Sequence, residues 1–318
     1  MKKIHWIMLA GAVVLSACGG QEKQAPAPGT PATGAPAQAA AKHKVIGAAL
    51  LTQTHVFFQD LAAAAEKEAK AQGFDLRLQY AEFDSGKQIN QLETFITQGV
   101  DAIVVSPVDS SGVAPVVAEA RKKNIPVFTT DIRAHGADIV SHIASDNVAG
   151  GELLGDFLGK LLNGKGNVAI IDERQAASVQ ERVAGFEKAI AKYPEIKIVQ
   201  KVPGEGQRDK AMKAAQDLLQ SSPNLNAIFG INDDSALGAL AAVEAAGLDQ
   251  KIVIVGYDGT PEARDAIKAG KALKADTVQF PDKIGQRTVQ TVAAYLRGEK
   301  VEPVVPVEVG LIDAASLK

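Results

Sequence analysis

From Lys44 onward, short runs of β-branched and aliphatic residues alternate with longer stretches whose apolar positions recur at helical spacing, and the pattern continues almost to the C-terminus. The strand-like runs are KVIGAALL from 44, DLRLQYAE from 75, AIVVSP from 102, PVFTTD from 126 and VSHIAS from 140. NVAIID from 167, KIVQKV from 197, AIFGIN from 227, IVIVGYD from 252 and ALKADTVQ from 272 complete the set. Helical spacing is clearest over Phe58 to Gln72, Ile89 to Gln98 and Ser235 to Ala246, closed by Gly73, Gly99 and Gly247 where a left-handed C-cap is wanted. Ser111 and Asp234 are the expected N-caps. Alternating strands and helices imply parallel sheets covered on both faces. Ten such strands in two similar halves suit two doubly wound α/β lobes better than one oversized sheet. A (β/α)8 barrel is the competing layout. Against it stands the strand-to-strand step from Thr130 to Val140, which has no helix and reads as a passage between lobes.

The N-terminus departs from this pattern. Lys2 and Lys3 precede an apolar run from about Ile4 to Leu15, too short to span a bilayer as a mature helix, so residues 1–17 read as a secretory signal. Leu15-Ser16-Ala17-Cys18 resembles the lipobox of bacterial lipoproteins, which implies lipidation at Cys18 and anchoring to a membrane without crossing it. Residues 18–42 are rich in Ala, Pro, Gly, Gln and Thr and cannot bury enough surface to offset their ordering entropy; they read as a flexible tether.

Composition then narrows the chemistry. Cys18 is the sole cysteine of the 318 residues, so the folded part has no disulfide, thiol nucleophile or thiolate metal site. His43, His135 and His142 lack a second ligand at helical spacing, and neither a metal nor another cofactor is expected. A formal charge of −3, without a run of four basic residues, argues against nucleic acid as a partner.

Ligands of open parallel sheets bind beyond the carboxyl ends of the strands. Asp131, Asn232, Asp258 and Gln279 stand at such ends; each suits a turn or an N-cap, but four together suit a shared polar pocket. Phe57 and Phe58 follow the first strand, where one ring could cover a sugar face and the other enter the core. Arg182 lies early in a predicted helix and could present its fork to vicinal hydroxyls, or stand in solvent. His55 is either a donor to a hydroxyl or an ordinary satisfied histidine.

Seven segments in order, THVFFQDL at 54, VVSPVDS at 104, VSHIASDNVAGG at 140, QERVAGF at 180, NDDSALGAL at 232, VGYDGTPEA at 255 and QFPDKIG at 279, resemble the ribose-binding branch of the type I periplasmic binding proteins. The resemblance implies two Rossmann-like lobes joined by a three-crossover hinge, over residues 44–146 plus about 280–306 and residues 147–279 plus about 307–318. It further implies a monomeric extracytoplasmic solute-binding protein in the cell envelope that closes around a monosaccharide and delivers it to an ABC permease with its ATPase. By position Phe57, Phe58, Asp131, Arg182, Asn232, Asp258 and Gln279 match the family's ligand contacts. Three departures accompany the match: His55 replaces an asparagine, Ile132 replaces an arginine that recurs one place later as Arg133, and Gly206 stands where an aromatic is expected. These changes imply a larger or differently configured polyol, such as a hexose or a cyclitol, in the vacated space.

Three rival functions remain. An enzyme would need a signature such as G-x-S-x-G, a Walker loop or H-E-x-x-H, none of which occurs, although Asp233-Asp234 could form a carboxylate pair. A transcription regulator built on the same fold needs a helix-turn-helix where this chain has a leader and tether. A chemotaxis or sensor input uses the same closed form and is not separable from transport by sequence.

Overall fold

The computed structural model describes residues 44–318; the signal segment 1–17, Cys18, the tether 18–42 and His43 lie outside the described residues. The chain begins with β1 (Val45–Leu50), α1 (Val56–Gln72), β2 (Asp75–Tyr80), α2 (Ser85–Gln98), β3 (Ala102–Val105), α3 (Ala114–Lys122), β4 (Val127–Thr130) and β5 (His142–Ser145). It crosses to a second lobe through α4 (Asn147–Leu161), β6 (Lys165–Asp172), α5 (Ala177–Ile190), β7 (Glu195–Pro203) and α6 (Arg208–Ser221). That lobe continues with β8 (Ala227–Gly230), α7 (Asp233–Ala245), β9 (Val253–Asp258), α8 (Pro261–Lys268) and β10 (Leu273–Val278). The chain then returns to the first lobe as α9 (Pro281–Leu296) and β11 (Val304–Val307), and crosses a third time into β12 (Gly310–Asp313).

The two six-stranded sheets run β2-β1-β3-β4-β5-β11 and β7-β6-β8-β9-β10-β12. Pairing is parallel throughout except between β12 and β10. Strand order therefore reverses between β1 and β3 in one lobe and between β6 and β8 in the other, and an open parallel sheet offers its ligand crevice at such a switch.

All ten runs of the hydrophobic pattern form strands. The edge strands β11 and β12 were not among them, because neither is a buried apolar run and β11 carries Pro306, which suits only an edge. The step from Thr130 to Val140 has no helix, as the sequence indicates, but β4 and β5 are parallel neighbours in one sheet. The passage between lobes comes instead after β5, after β10 and after β11. Gly73 and Gly99 close their helices at φ 77° and 64°. The expected N-caps are displaced: Asn232 caps α7 by accepting from Ser235 N, with Asp234 inside the first turn. Asp109, rather than Ser111, accepts the turn N–H groups of Ser111 and Gly112.

Two helices of the second lobe set the position of the arginine helix. α4 and α5 approach so closely that a Cβ on Gly151 would lie 2.0 Å from Arg182 O, and one on Gly185 2.1 Å from Val148 O. Backbone cannot yield as a flexible side chain can, so only glycine permits this crossing. Phe186 continues the contact inward and stacks on Phe229 of β8 at 4.6 Å between centroids. We predict that Gly185→Ala destabilises the protein by about 1–3 kcal/mol through overpacking. Chemical denaturation reads this directly, and an unchanged midpoint would show that α4 and α5 can separate freely.

Candidate ligand-binding cleft

The carboxyl ends of both sheets face one another, and the loops that leave them bound an inner chamber of about 30 Å³. The first lobe contributes Leu51, His55, Phe57, Phe58, Asp131 and Ile132. The second contributes Glu173, Ala176, Ser178, Val179, Arg182, Ile231, Asn232, Asp258 and Gln279. An outer cavity of about 620 Å³, bounded by Glu82, Phe83 and Val108 on one side and Glu205, Gln207 and Lys210 on the other, shares Glu173 with the chamber. The inner space is where buried polar groups converge, and the outer one is its mouth.

Arg182 is the most constrained of these groups. Its side chain is 5% exposed, and its guanidinium carbon lies 4.1 Å from the centre of the Tyr257 ring. Nε donates to Asn147 Oδ1 at 2.9 Å and Nη1 to the Ile231 carbonyl at 3.0 Å, with Asp258 Oδ1 at 3.9 Å. Helix α4, strand β8 and strand β9 thus share one cation.

The floor is built from strand ends. Asp258 Oδ1 accepts from Gln279 Nε2 at 2.6 Å, and Gln279 N donates to the Asp258 carbonyl, so β9 and β10 end as a coupled pair. Asn232 Oδ1 is used by its capping bond, while Nδ2 donates to the Gly206 carbonyl at 3.0 Å. Beneath them, Asp233 Oδ2 accepts from Thr260 N and Asp276 is fully buried, its carboxyl raised well above the ordinary range by burial first and by Asp233 second. Asp233 is thus buried among these groups, whereas its neighbour Asp234 lies at the rim with Arg208.

Backbone strain concentrates here. Among the described residues seven non-glycine residues have positive φ, and Glu82, Phe83, Asp131, Glu205 and Asp258 all line the chamber or its mouth. Asp131, at φ 61°, places a 4% exposed carboxyl into the chamber, with Oδ1 unpartnered among the described residues.

The cleft is also bridged. His55 Nε2 lies 3.4 Å from Asp234 Oδ2 across the lobes, and Arg208 holds Asp234 from behind. Ser110, after β3, donates its N–H to the Gln175 carbonyl, and its Oγ accepts from Ala177 N.

Eight of the nine residues singled out from the sequence line the chamber. Both phenylalanines do so while also packing into the core, with rings edge to face at 5.2 Å. Arg133 does not: its Nε points 4.0 Å from Glu181 Oε1. Glu173 was missed, although it directly follows β6, where the strand-end rule would have found it. The space freed at Gly206 is not open either. A Cβ there would lie 2.7 Å from Glu173 Oε2, and φ 65° adds strain for any side chain.

The periplasmic binding protein domain matches residues 46–300. This chain belongs to that family. The chain is 36% identical over 265 residues to the ribose import binding protein of Escherichia coli K12, covering 82% of this chain and 88% of that one. A solute-binding protein of Actinobacillus succinogenes with bound D-allose superposes with TM-score 0.78 at 31% identity, over 86% of this chain and 99% of that one. A Bacillus halodurans solute-binding protein with bound myo-inositol gives TM-score 0.81 at 29% identity, over 86% and 96%.

Burial sets the proton affinities of this binding protein's cleft. It pushes Asp131 up to about 6, with Arg182 opposing and Glu181 reinforcing, Glu173 up to about 7 and Asp258 up to about 8, again against Arg182. Each carboxyl keeps its proton in the folded protein after the unfolded chain, near 4, has released it. Their stabilising contribution is full below about 4 and lost as pH rises through about 6 to 8. Asp131→Asn removes this titration while keeping the shape. Its stability relative to the parent should rise by about 1–1.5 kcal/mol between about pH 5 and about pH 8. Urea midpoints at the two pH values measure the change, and a constant difference would place Asp131 in free contact with water.

Proposed function

We propose that this chain is the extracytoplasmic solute-binding component of an ABC importer, taking a monosaccharide or related polyol between its lobes and presenting it to the permease. The observation that carries the reading is the convergence of Asp131 from one lobe with Arg182, Asn232, Asp258 and Gln279 from the other on a single chamber. Carboxylates, an amide pair and a guanidinium suit vicinal hydroxyls, and Phe57 and Phe58 supply the apolar wall that a sugar face prefers. Because the chamber is about 30 Å³ as the lobes stand, a monosaccharide needs them to part and close again around it. Ribose, allose and myo-inositol appear in the names of similar proteins, which supports a ligand of that size and polarity. The curated relatives bind solutes, and the present reading asks for no bond to be made or broken.

Lipid anchoring through Cys18 is part of the proposal. Cys18→Ser should leave the protein in the soluble fraction, and retention in the membrane pellet would remove the anchor.

A thermal-shift screen of pentoses, hexoses and cyclitols tests ligand binding, with stabilisation of about 2.7 kcal/mol expected at a hundredfold excess over Kd. For whichever ligand binds, Arg182→Ala should cost about 2–5 kcal/mol of affinity by titration calorimetry, because buried acceptors lose their cation. No shift with any polyol would overturn the sugar reading; unchanged affinity in the variant would take Arg182 out of the site.

A further inference from the structure

The chamber holds more carboxyl groups than basic ones. Asp131, Glu173 and Asp258 line it together with a single guanidinium, that of Arg182. Arg182 faces Asp258, and its Nε and one Nη1 bond are already directed to Asn147 and Ile231. Among the described residues no basic group forms an ion pair with Asp131 or Glu173; the neighbouring guanidinium of Arg133 turns to Glu181. The acids next outward, Asp172, Glu181 and Glu205, each have a basic neighbour of their own in Arg174, Arg133 and Lys210, so the carboxyls without an ion-pair partner are those inside the chamber.

Acceptors outnumber donors as well. Asp131 Oδ1 and Gln279 Oε1 belong to side chains that are 4% and 3% exposed, and neither takes a hydrogen bond from a described residue. The Glu173 carboxylate stands against Gly206 and faces only charges, without a hydrogen bond from the described residues. Such a cleft can answer its charge by holding protons or by receiving a cation. At neutral pH Asp258, near 8, is mostly protonated and Glu173, near 7, about half so, while Asp131, near 6, is largely ionised and has no ion-pair partner of its own.

We infer that the preferred ligand is a polyhydroxylated ring bearing one protonated amine, an amino sugar or aminated cyclitol, with its ammonium directed to Asp131 and Glu173. An ammonium brings three donors and one positive charge to a place with spare acceptors and unanswered carboxylates. Hydroxyls of the same ring meet Arg182, Asn232 and Gln279 as in the reading above, on which this inference rests. The space at Gly206 fits the same picture, because Glu173 fills it with a carboxylate instead of an aromatic ring.

Titration calorimetry at neutral pH on the mature protein tests this with matched pairs: D-glucose with D-glucosamine, D-allose with 2-amino-2-deoxy-D-allose, and myo-inositol with an amino-deoxy-inositol. At least one amine should bind about tenfold or more tightly than its neutral parent. In Glu173→Gln the ratio of the two affinities should shrink toward one, with a melting curve confirming that the variant is folded. Neutral polyols that bind as well as or better than every amine would overturn the inference and leave the polyol reading standing. Silence from all six compounds would overturn the inference, and the polyol reading falls with it only when the wider screen of pentoses, hexoses and cyclitols is silent too.

Discussion

The cleft is organised around one buried cation that cannot move without disturbing three elements. Arg182 is nearly dry, stacked on Tyr257 and bonded to Asn147 and to the end of β8. A desolvated guanidinium is tolerable only with such partners, and the partners hold the second lobe's strand ends in register. The tight glycine crossing of α4 and α5 fixes the base from which Arg182 reaches. Packing, hydrogen bonding and electrostatics therefore converge on one side chain, and the strained backbone at Asp131 and Asp258 brings carboxylates within its field.

Most of this was legible in the sequence, for identifiable reasons. The eight central strands, buried on both faces, read as continuous apolar runs, and the edge strands β2 and β7 show through the alternation of DLRLQY and EIKIVQKV. β11 and β12, four mostly half-exposed residues each, carry neither signature. The strand-end rule located Asp131, Asn232, Asp258 and Gln279, since it depends only on chain order and sheet geometry. Arg133 escaped it because one residue of displacement on a loop turns a side chain to a different neighbour, here Glu181. Glu173 was overlooked among the charges of DERQ, where sequence alone does not distinguish a solvated acid from one drawn into a cleft. Capping at Asn232 rather than Asp234 likewise follows from where β8 ends, which the periodicity leaves uncertain by a residue or two.

Contacts between the lobes are both polar and apolar. Ser110 meets Gln175 and Ala177 with two hydrogen bonds, His55 meets Asp234 and Arg133 faces Glu181, while Phe57, Phe58, Val108 and Ile132 share an apolar cluster with Ala176, Val179 and Ile231. A ligand held between the lobes shifts the balance only by its differential affinity for the closed form. Burial lowers the His55 proton affinity, with Asp234 and Glu82 opposing, so the neutral ring faces the carboxylate without a full ion pair to lock it.

The last strands tie the two lobes into one unit. The first sheet is completed by β11 and the second by β12, which follow one another over residues 304–313. Each lobe therefore takes an edge from a segment that comes after the core strands of both, and α9, packed against β4 and β5 of the first sheet, itself follows β10 of the second. A nick between β10 and α9 would open an edge on both sheets at once, so neither lobe is a self-sufficient length of chain.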